Sequence, residues 1–368
     1  MTVVPASRLP VTVVTGFLGA GKSTLLRQLL VSSGLRLAVL VNEFGEVGID
    51  GDLIRSCGFC PEDELDGRVV ELANGCLCCT VQDEFLPVMQ QLLQRADQLD
   101  GIVVETSGLA LPVPLVQAFR WPEIRTKTRV TGVVTVVDGE ALSGGSVVAD
   151  PSALEAQRQA DPSLDHLTDI NALFDDQLEA ADLVLMSRAD CLSEEAVDRL
   201  RRRLSDQVRS GVSVLPMARG DVPAALLMGL DRPEHADDHH HDHDHDHDRD
   251  HDHDHDHDHD HDHDHHDHTH VAMESLAFQW QGVTSKAQLE ALLPACITDQ
   301  GLLRLKGRAW LPGKTHPLQI QAVGPRLECW FDSGSRLERP NDDGLELVAL
   351  GLSLKGSALK DQLIAGLG

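Results

Sequence analysis

Gly16-Phe17-Leu18-Gly19-Ala20-Gly21-Lys22-Ser23 is the stretch whose reading decides the fold. It satisfies G-x-x-x-x-G-K-[ST] between an apolar run, Pro10 to Thr15, and an amphipathic one, Lys22 to Leu30. That strand–loop–helix setting is the one the motif needs in order to bind phosphate. Glycines at 16, 19 and 21 let the backbone curl so that its N–H groups face phosphate oxygens, helped by the positive end of the following helix. Lys22 is expected to reach the β and γ phosphates and Ser23 to hold Mg²⁺, with Ala20 and Thr24 completing the nucleotide-binding run. A glycine-rich turn without a ligand is the plain alternative.

Outward from this loop, short Val/Ile/Leu-rich runs alternate with amphipathic stretches, the pattern of a parallel sheet flanked by helices. Strands are expected at Pro10 to Thr15, Leu37 to Val41, Arg68 to Leu72, Gly101 to Val104, Gly132 to Val137 and Leu183 to Met186. Helices are expected at Lys22 to Leu30, Gln82 to Gln94 and Glu194 to Gln207, the last capped by Ser193 with acidic residues in its first turn. Ala141 to Pro162 has weak periodicity and reads as loop with a short helix. The fold class is α/β: a P-loop domain with a mostly parallel sheet over 1–230, a linker over 231–270 and a small α+β domain over 271–368. In that last domain, strand-like alternation marks Ser275 to Trp280, Leu302 to Ala309 and Leu318 to Val323, and Ala358 to Ile364 reads as a closing helix.

The linker is abrupt: residues 235–270 hold 18 His and 15 Asp in near-perfect alternation, with one Arg. With no aliphatic residue beyond Ala236, nothing offsets the entropy of ordering it, so disorder is expected. The tract carries half of the net charge of −28, and the remainder of the chain is only moderately acidic. A surface of that sign repels a phosphate backbone, which disfavours nucleic acid as a partner. No apolar run approaches the roughly 18 residues of a membrane helix, and Met1 to Pro10 lacks the charged and apolar regions of a secretion signal. A cytoplasmic protein without a membrane partner is the expectation.

Three further segments carry chemistry. Glu105-Thr106-Ser107-Gly108 follows an apolar run directly, placing a carboxylate where it would hold Mg²⁺ through water and Gly108 N–H near the γ-phosphate. A helix cap by Thr106 or Ser107, with Glu105 merely exposed, is the competing reading. Ser187-Arg188-Ala189-Asp190 stands where guanine-reading chains carry Asn-Lys-x-Asp: Asp190 is retained, Arg188 covers a base as well as Lys does, and Ser187 is shorter than Asn. GTP is therefore favoured over ATP or relaxed specificity.

Gly75-Cys76-Leu77-Cys78-Cys79 packs three thiols into four residues. A following helix end favours the thiolate, and three soft ligands with no evident fourth suit Zn²⁺ or Co²⁺ in a partly open site. Small residues packed in a tight turn are the alternative. Cys57-Gly58-Phe59-Cys60 is compatible with an extra ligand, a redox pair or neither. The His/Asp tract offers imidazole and carboxylate for several weak, exchangeable metal sites, or is a repeat expansion with no role.

These residues together resemble the CobW family, metal-linked P-loop GTPases of the same class as the nickel-insertion GTPases of urease and hydrogenase. The resemblance covers the P-loop, Asn42-Glu43-Phe44-Gly45-Glu46, the Cys76/Cys78/Cys79 motif, Glu105 to Gly108 and the His-rich linker. In the C-terminal domain, Arg304-Leu305-Lys306-Gly307 and Gln321-Ala322-Val323-Gly324 look like the family's pattern. It implies a GTPase whose Mg²⁺-GTP state assembles the cysteine metal site and whose hydrolysis releases the ion to a client. Glu46 is carried over as a metal or switch ligand, whereas Val41 stands where some relatives have an acidic residue. The subgroup linked to cobalamin biosynthesis implies Co²⁺ and a cobalt chelatase as client; a zinc chaperone for another metalloenzyme is equally compatible with thiolate ligands. A metal buffer with a vestigial nucleotide site, and a nucleotide-gated scaffold carrying no metal, are the other classes. Oligomeric state is not encoded in any of these motifs.

Overall fold

The computed structural model describes residues 8–41, 69–71, 85–160, 169–229, 273–332 and 337–368. Its first sheet has seven strands: β1 (Leu9–Thr15), β2 (Leu37–Val41), β3 (Val69–Glu71), β4 (Gly101–Glu105), β5 (Thr128–Asp138), β6 (Leu183–Ser187) and β7 (Ser213–Pro216). Their spatial order is β3-β2-β4-β1-β5-β6-β7, and every pairing is parallel. Strands buried on both faces need continuous apolar runs rather than alternation, which is why β2, β4 and β6 are buried at every residue. The order reverses at β1, which lies between β4 and β5, and ligands of such sheets gather beyond the carboxyl ends at that point.

One face of the sheet packs on helix Lys22–Ser32 through Leu25, Leu26 and Leu29, and on Ala224–Met228 through Leu226 to Met228. The other face carries two cores, one with Phe85, Met89 and Phe119, and one with Phe174, Leu178, Leu200 and Leu204. Helix Glu194–Ser205 begins as its sequence dictates, with the Ser193 side chain accepting from Ala196 N and Glu194 and Glu195 in the first turn. Two stretches differ from the sequence reading. Where a loop with a short helix was expected from Ala141 onward, two helices stand, Gly139–Ser143 and Pro151–Ala160, the first started by Asp138 accepting from Ala141 N. β7 is an additional edge strand, only four residues long and closed by Pro216.

The second sheet is antiparallel: β8 (Glu274–Gln281), β9 (Arg304–Trp310), β10 (Leu318–Val323), β11 (Arg326–Phe331) and β12 (Gly344–Gly351), in the order β11-β10-β9-β12-β8. Helices Lys286–Asp299 and Gly356–Leu367 cover one face through Leu289, Leu293, Leu359 and Leu363. This unit docks against the amino ends of the first sheet, opposite the carboxyl ends. Arg129 on β5 donates to Gln321 at 2.5 Å and lies 4.2 Å from the Trp330 ring. Burial lowers its pKa to about 10, still protonated at neutral pH. Asp182, fully buried just before β6, accepts from Arg209 at 2.9 Å and from Arg326 of β11. Leu303 and Val323 enter the core beneath helix Lys22–Ser32, so the two units share apolar packing.

Candidate nucleotide-binding site

At the carboxyl ends of β1, β2, β4 and β6 lies a cleft of about 700 Å³. Its walls include Gly19, Gly21 to Thr24, Glu105 to Gly108 and Ser187, Arg188 and Asp190. The P-loop takes its shape from its glycines. Gly16 has φ of 135°, and a Cβ there would sit 2.1 Å from the Val136 carbonyl oxygen of β5. Ala20 N donates to Phe17 O at 3.1 Å and closes the turn. Helix Lys22–Ser32 then starts from Gly21 with no side-chain cap, so its first amides belong to the cleft.

Lys22 is buried, and its Nζ donates to the carbonyls of Gly16 at 2.8 Å and Phe17 at 3.2 Å, with Glu105 Oε1 3.8 Å away. The ammonium is thus held at the mouth of the loop by short contacts. Glu105 closes β4, in register with Val14 of β1 and Val41 of β2. Thr106 is fixed twice: its N–H donates to Val14 O at 2.9 Å and its hydroxyl to Thr15 Oγ1 at 2.9 Å. It therefore packs against β1 rather than capping a helix. Gly108 lies against the P-loop so closely that a Cβ would come within 2.5 Å of Leu18 N.

The base-reading segment brings Ser187, Arg188 and Asp190 to the cleft wall. Ser187 is buried, donates to Val137 O at 3.2 Å and abuts Gly21, whose added Cβ would meet Ser187 Cβ at 3.3 Å. Arg188, in the left-handed region at φ 53°, turns its guanidinium onto Asp138 at 2.7 Å, with Gly19 O at 3.5 Å and Glu140 at 3.6 Å. A buried carboxylate close to the P-loop outcompetes solvent for that charge, so Arg188 is anchored to Asp138 while it lines the cleft. Asp190, about a third exposed, remains on the cleft wall with Arg219 3.8 Å away. Met217, Arg219 and Gly220, after β7, form a wall that sequence reading did not single out. Their signal was the short β7, hidden by its length.

The donor set fits Mg²⁺-GTP. Ser23 and Glu105 border the same cleft as a lysine ammonium and a helix start, the combination of hydroxyl, carboxylate and cationic donors that a metal-bound triphosphate needs. Cys76, Cys78 and Cys79, with Glu46, Asn42 to Gly45, Cys57, Cys60 and the tract 235–270, lie outside the described residues. Among the described residues no group of three or more His, Cys, Asp or Glu could hold a metal ion. Among them, too, no helix is long and apolar enough to cross a membrane.

Comparison with known proteins bears on the whole chain. Residues 10–216 match the family described as CobW/HypB/UreG, nucleotide-binding domain, and residues 273–367 match the Cobalamin synthesis protein cobW C-terminal domain. A protein named Zinc chaperone CobW from Pseudomonas aeruginosa is 45% identical, over 97% of this chain and 91% of its own. One of the same name from a Sinorhizobium species is 40% identical, over 94% and 93% respectively. A crystal structure of Zn(II)-bound YjiA GTPase from E. coli aligns over 99% of this chain and 100% of its own, at 20% identity and a TM-score of 0.39.

Proposed function

The chain belongs to the CobW family of GTPases, and from that premise we propose that it carries a transition-metal ion, Zn²⁺ ahead of Co²⁺, to a client metalloprotein. The ion loads in the GTP state and leaves on hydrolysis. The observation that carries the GTP-dependent part of this reading is the cleft lined by Lys22, Ser23, Glu105, Gly108 and Asp190. Ser23 and Glu105 would hold Mg²⁺, which would supply charge neutralisation at the phosphates. Lys22 and the amides of Gly19 to Thr24 bind the phosphate oxygens, Gly108 N–H meets the γ-phosphate, and Asp190 accepts from the guanine edge.

Cys76, Cys78 and Cys79 are the proposed cargo ligands, with Glu46 a further candidate. Asn42 to Glu46 follows β2 and the cysteines follow β3, two strands whose carboxyl ends point toward the cleft side of the sheet. If GTP favours the thiolate-presenting state, bound metal favours GTP by the same factor. Zn²⁺ is placed first because the relatives of 45% and 40% identity are named zinc chaperones. Co²⁺, with a cobalt chelatase as client, is the reading that the cobalamin link of the C-terminal family description keeps open.

Metal titration with Zn²⁺ and with Co²⁺, each with and without Mg²⁺ and a non-hydrolysable GTP analogue, tests the proposal. Wild type should show one tight, nucleotide-dependent site plus weaker ones. Deleting residues 235–270 should remove only the weak sites, whereas Ser at 76, 78 and 79 should remove only the tight one, hydroxyls being poor ligands for these ions. Loss of the tight site on deleting the tract, with the cysteines intact, would overturn the cysteine assignment.

A further inference from the structure

Helix Ile170–Ala180 contacts two segments that border the cleft, the P-loop and the stretch after Ser107. Phe174 stacks on Phe17 of the P-loop, with ring centroids 6.1 Å apart and planes 10° from parallel. One turn on, Gln177 is completely buried, and its Nε2 donates to Gly108 O at 3.1 Å and to Ala110 O at 3.3 Å. Two carbonyls as partners fix which end of the amide is the donor. Its own backbone carbonyl accepts from Thr135 Oγ1 at 3.0 Å, tying this point of the helix to β5.

The arrangement is costly for packing alone. Gln177 Oε1 is buried and finds no hydrogen-bond partner among the described residues. A buried amide acceptor without a partner is destabilising, and an apolar side chain would fill the same space without that penalty. What the amide supplies and an apolar chain cannot is a grip on the peptides following Ser107. Those peptides carry Gly108, which lines the cleft and has no room for a side chain against Leu18.

We propose that Gln177 is a positioning residue for the γ-phosphate: by holding the carbonyls of Gly108 and Ala110 it fixes where Gly108 N–H stands, and so sets GTP apart from GDP. The proposal rests on the cleft being the GTP site. Its action is through Gly108, since Gln177 does not line the cleft. Affinity for the α and β phosphates belongs to the P-loop and should not depend on it.

The test is Gln177→Met, which keeps volume and removes both donors. Affinities for GDP and for a non-hydrolysable GTP analogue are measured with Mg²⁺, alongside kcat and KM. The expected result is a loss of about fivefold or more in the GTP-to-GDP affinity ratio and in kcat, the scale of one or two hydrogen bonds, with GDP affinity within about twofold of wild type. Equal losses for GDP and the GTP analogue would mark a purely structural role and overturn the proposal, as would an unchanged ratio. Wild type that binds neither nucleotide would instead remove the cleft assignment, a distinguishable failure that takes this proposal with it. Should Gln177→Met not fold, Gln177→Glu gives a second reading. Its carboxyl donates only when protonated, so kcat should fall as pH rises while GDP affinity stays level; a kcat profile parallel to wild type would overturn the proposal.

Discussion

Asp190 stands on the cleft wall in a short 3-10 turn, Ala189–Cys191, with Arg219 across from it at 3.8 Å. A carboxylate that accepts two hydrogen bonds from guanine has no such match with adenine. Asp190→Asn should therefore weaken GTP binding by about 10- to 100-fold, the value of a charge-assisted bond, while ATP binding changes little. Parallel titrations with the two nucleotides check this, and equal effects would take Asp190 out of base recognition. Residues whose chemistry is unusual for their setting were legible in the sequence: a lysine after a run of glycines, or a carboxylate ending an apolar strand. The structure brings Lys22, Ser23, Glu105, Gly108 and Asp190 to one cleft. Arg188 was less legible because its partner, Asp138, is 50 residues away and only the pairing of β5 with β6 brings the two together. Gln177 was illegible for a different reason, since a polar residue in a helix rich in Asp and Glu reads as solvent-facing when it is in fact fully buried.

Among secondary-structure elements, the strands of the first sheet announced themselves through β-branched runs, since burial on both faces leaves no room for polar alternation. Helices Gly139–Ser143, Pro151–Ala160 and Ile170–Ala180 did not, because they are short and their apolar positions are interrupted by polar and acidic residues. Cysteine placement also separates at this scale. Cys296 is buried on helix Lys286–Asp299, and Cys329 on β11 sits near the same helix. Burial, aided by the charge of Asp299 for the first and Glu290 for the second, raises each thiol to about 11 from the ordinary 9.0. Neither supplies a thiolate at neutral pH, so neither competes for the cargo ion. The native state holds these protons after the unfolded chain has released them, so stability should fall as pH rises from 9.0 toward 11. At pH 7 a charged alkylating reagent should modify exposed Cys191 readily, half-buried Cys329 more slowly and buried Cys296 only after unfolding; rapid native labelling of Cys296 would contradict the assignment.

For the whole molecule, the junction between the two sheets turns on Asp182. Its carboxylate accepts from Val133 N at 2.9 Å on β5, from Arg209 and from Arg326 of the second sheet. Alongside it, Gly324 at φ 47° approaches so closely that a Cβ would lie 2.2 Å from Asp182 O. Asp182→Ala leaves two guanidinium groups without their anion and should cost about 3 kcal/mol, read as a lower midpoint in denaturant; an unchanged midpoint would show the junction to be held by Leu303 and Val323 instead. The junction could not be foreseen, since nothing local to Asp182 or Arg326 marks them as partners 144 positions apart. The chain between the sheets leaves and returns at one corner: Leu226 and Met273 line the same small cavity, and Gly229 and Ser275 another. A connection whose ends are already side by side is a closed excursion, and its closure cost grows only with the logarithm of its length. Doubling or halving the number of His-Asp repeats changes that cost by about 0.6 kcal/mol. Repeat number is thus set free from folding, and a change in the length of the tract leaves both sheets as they are.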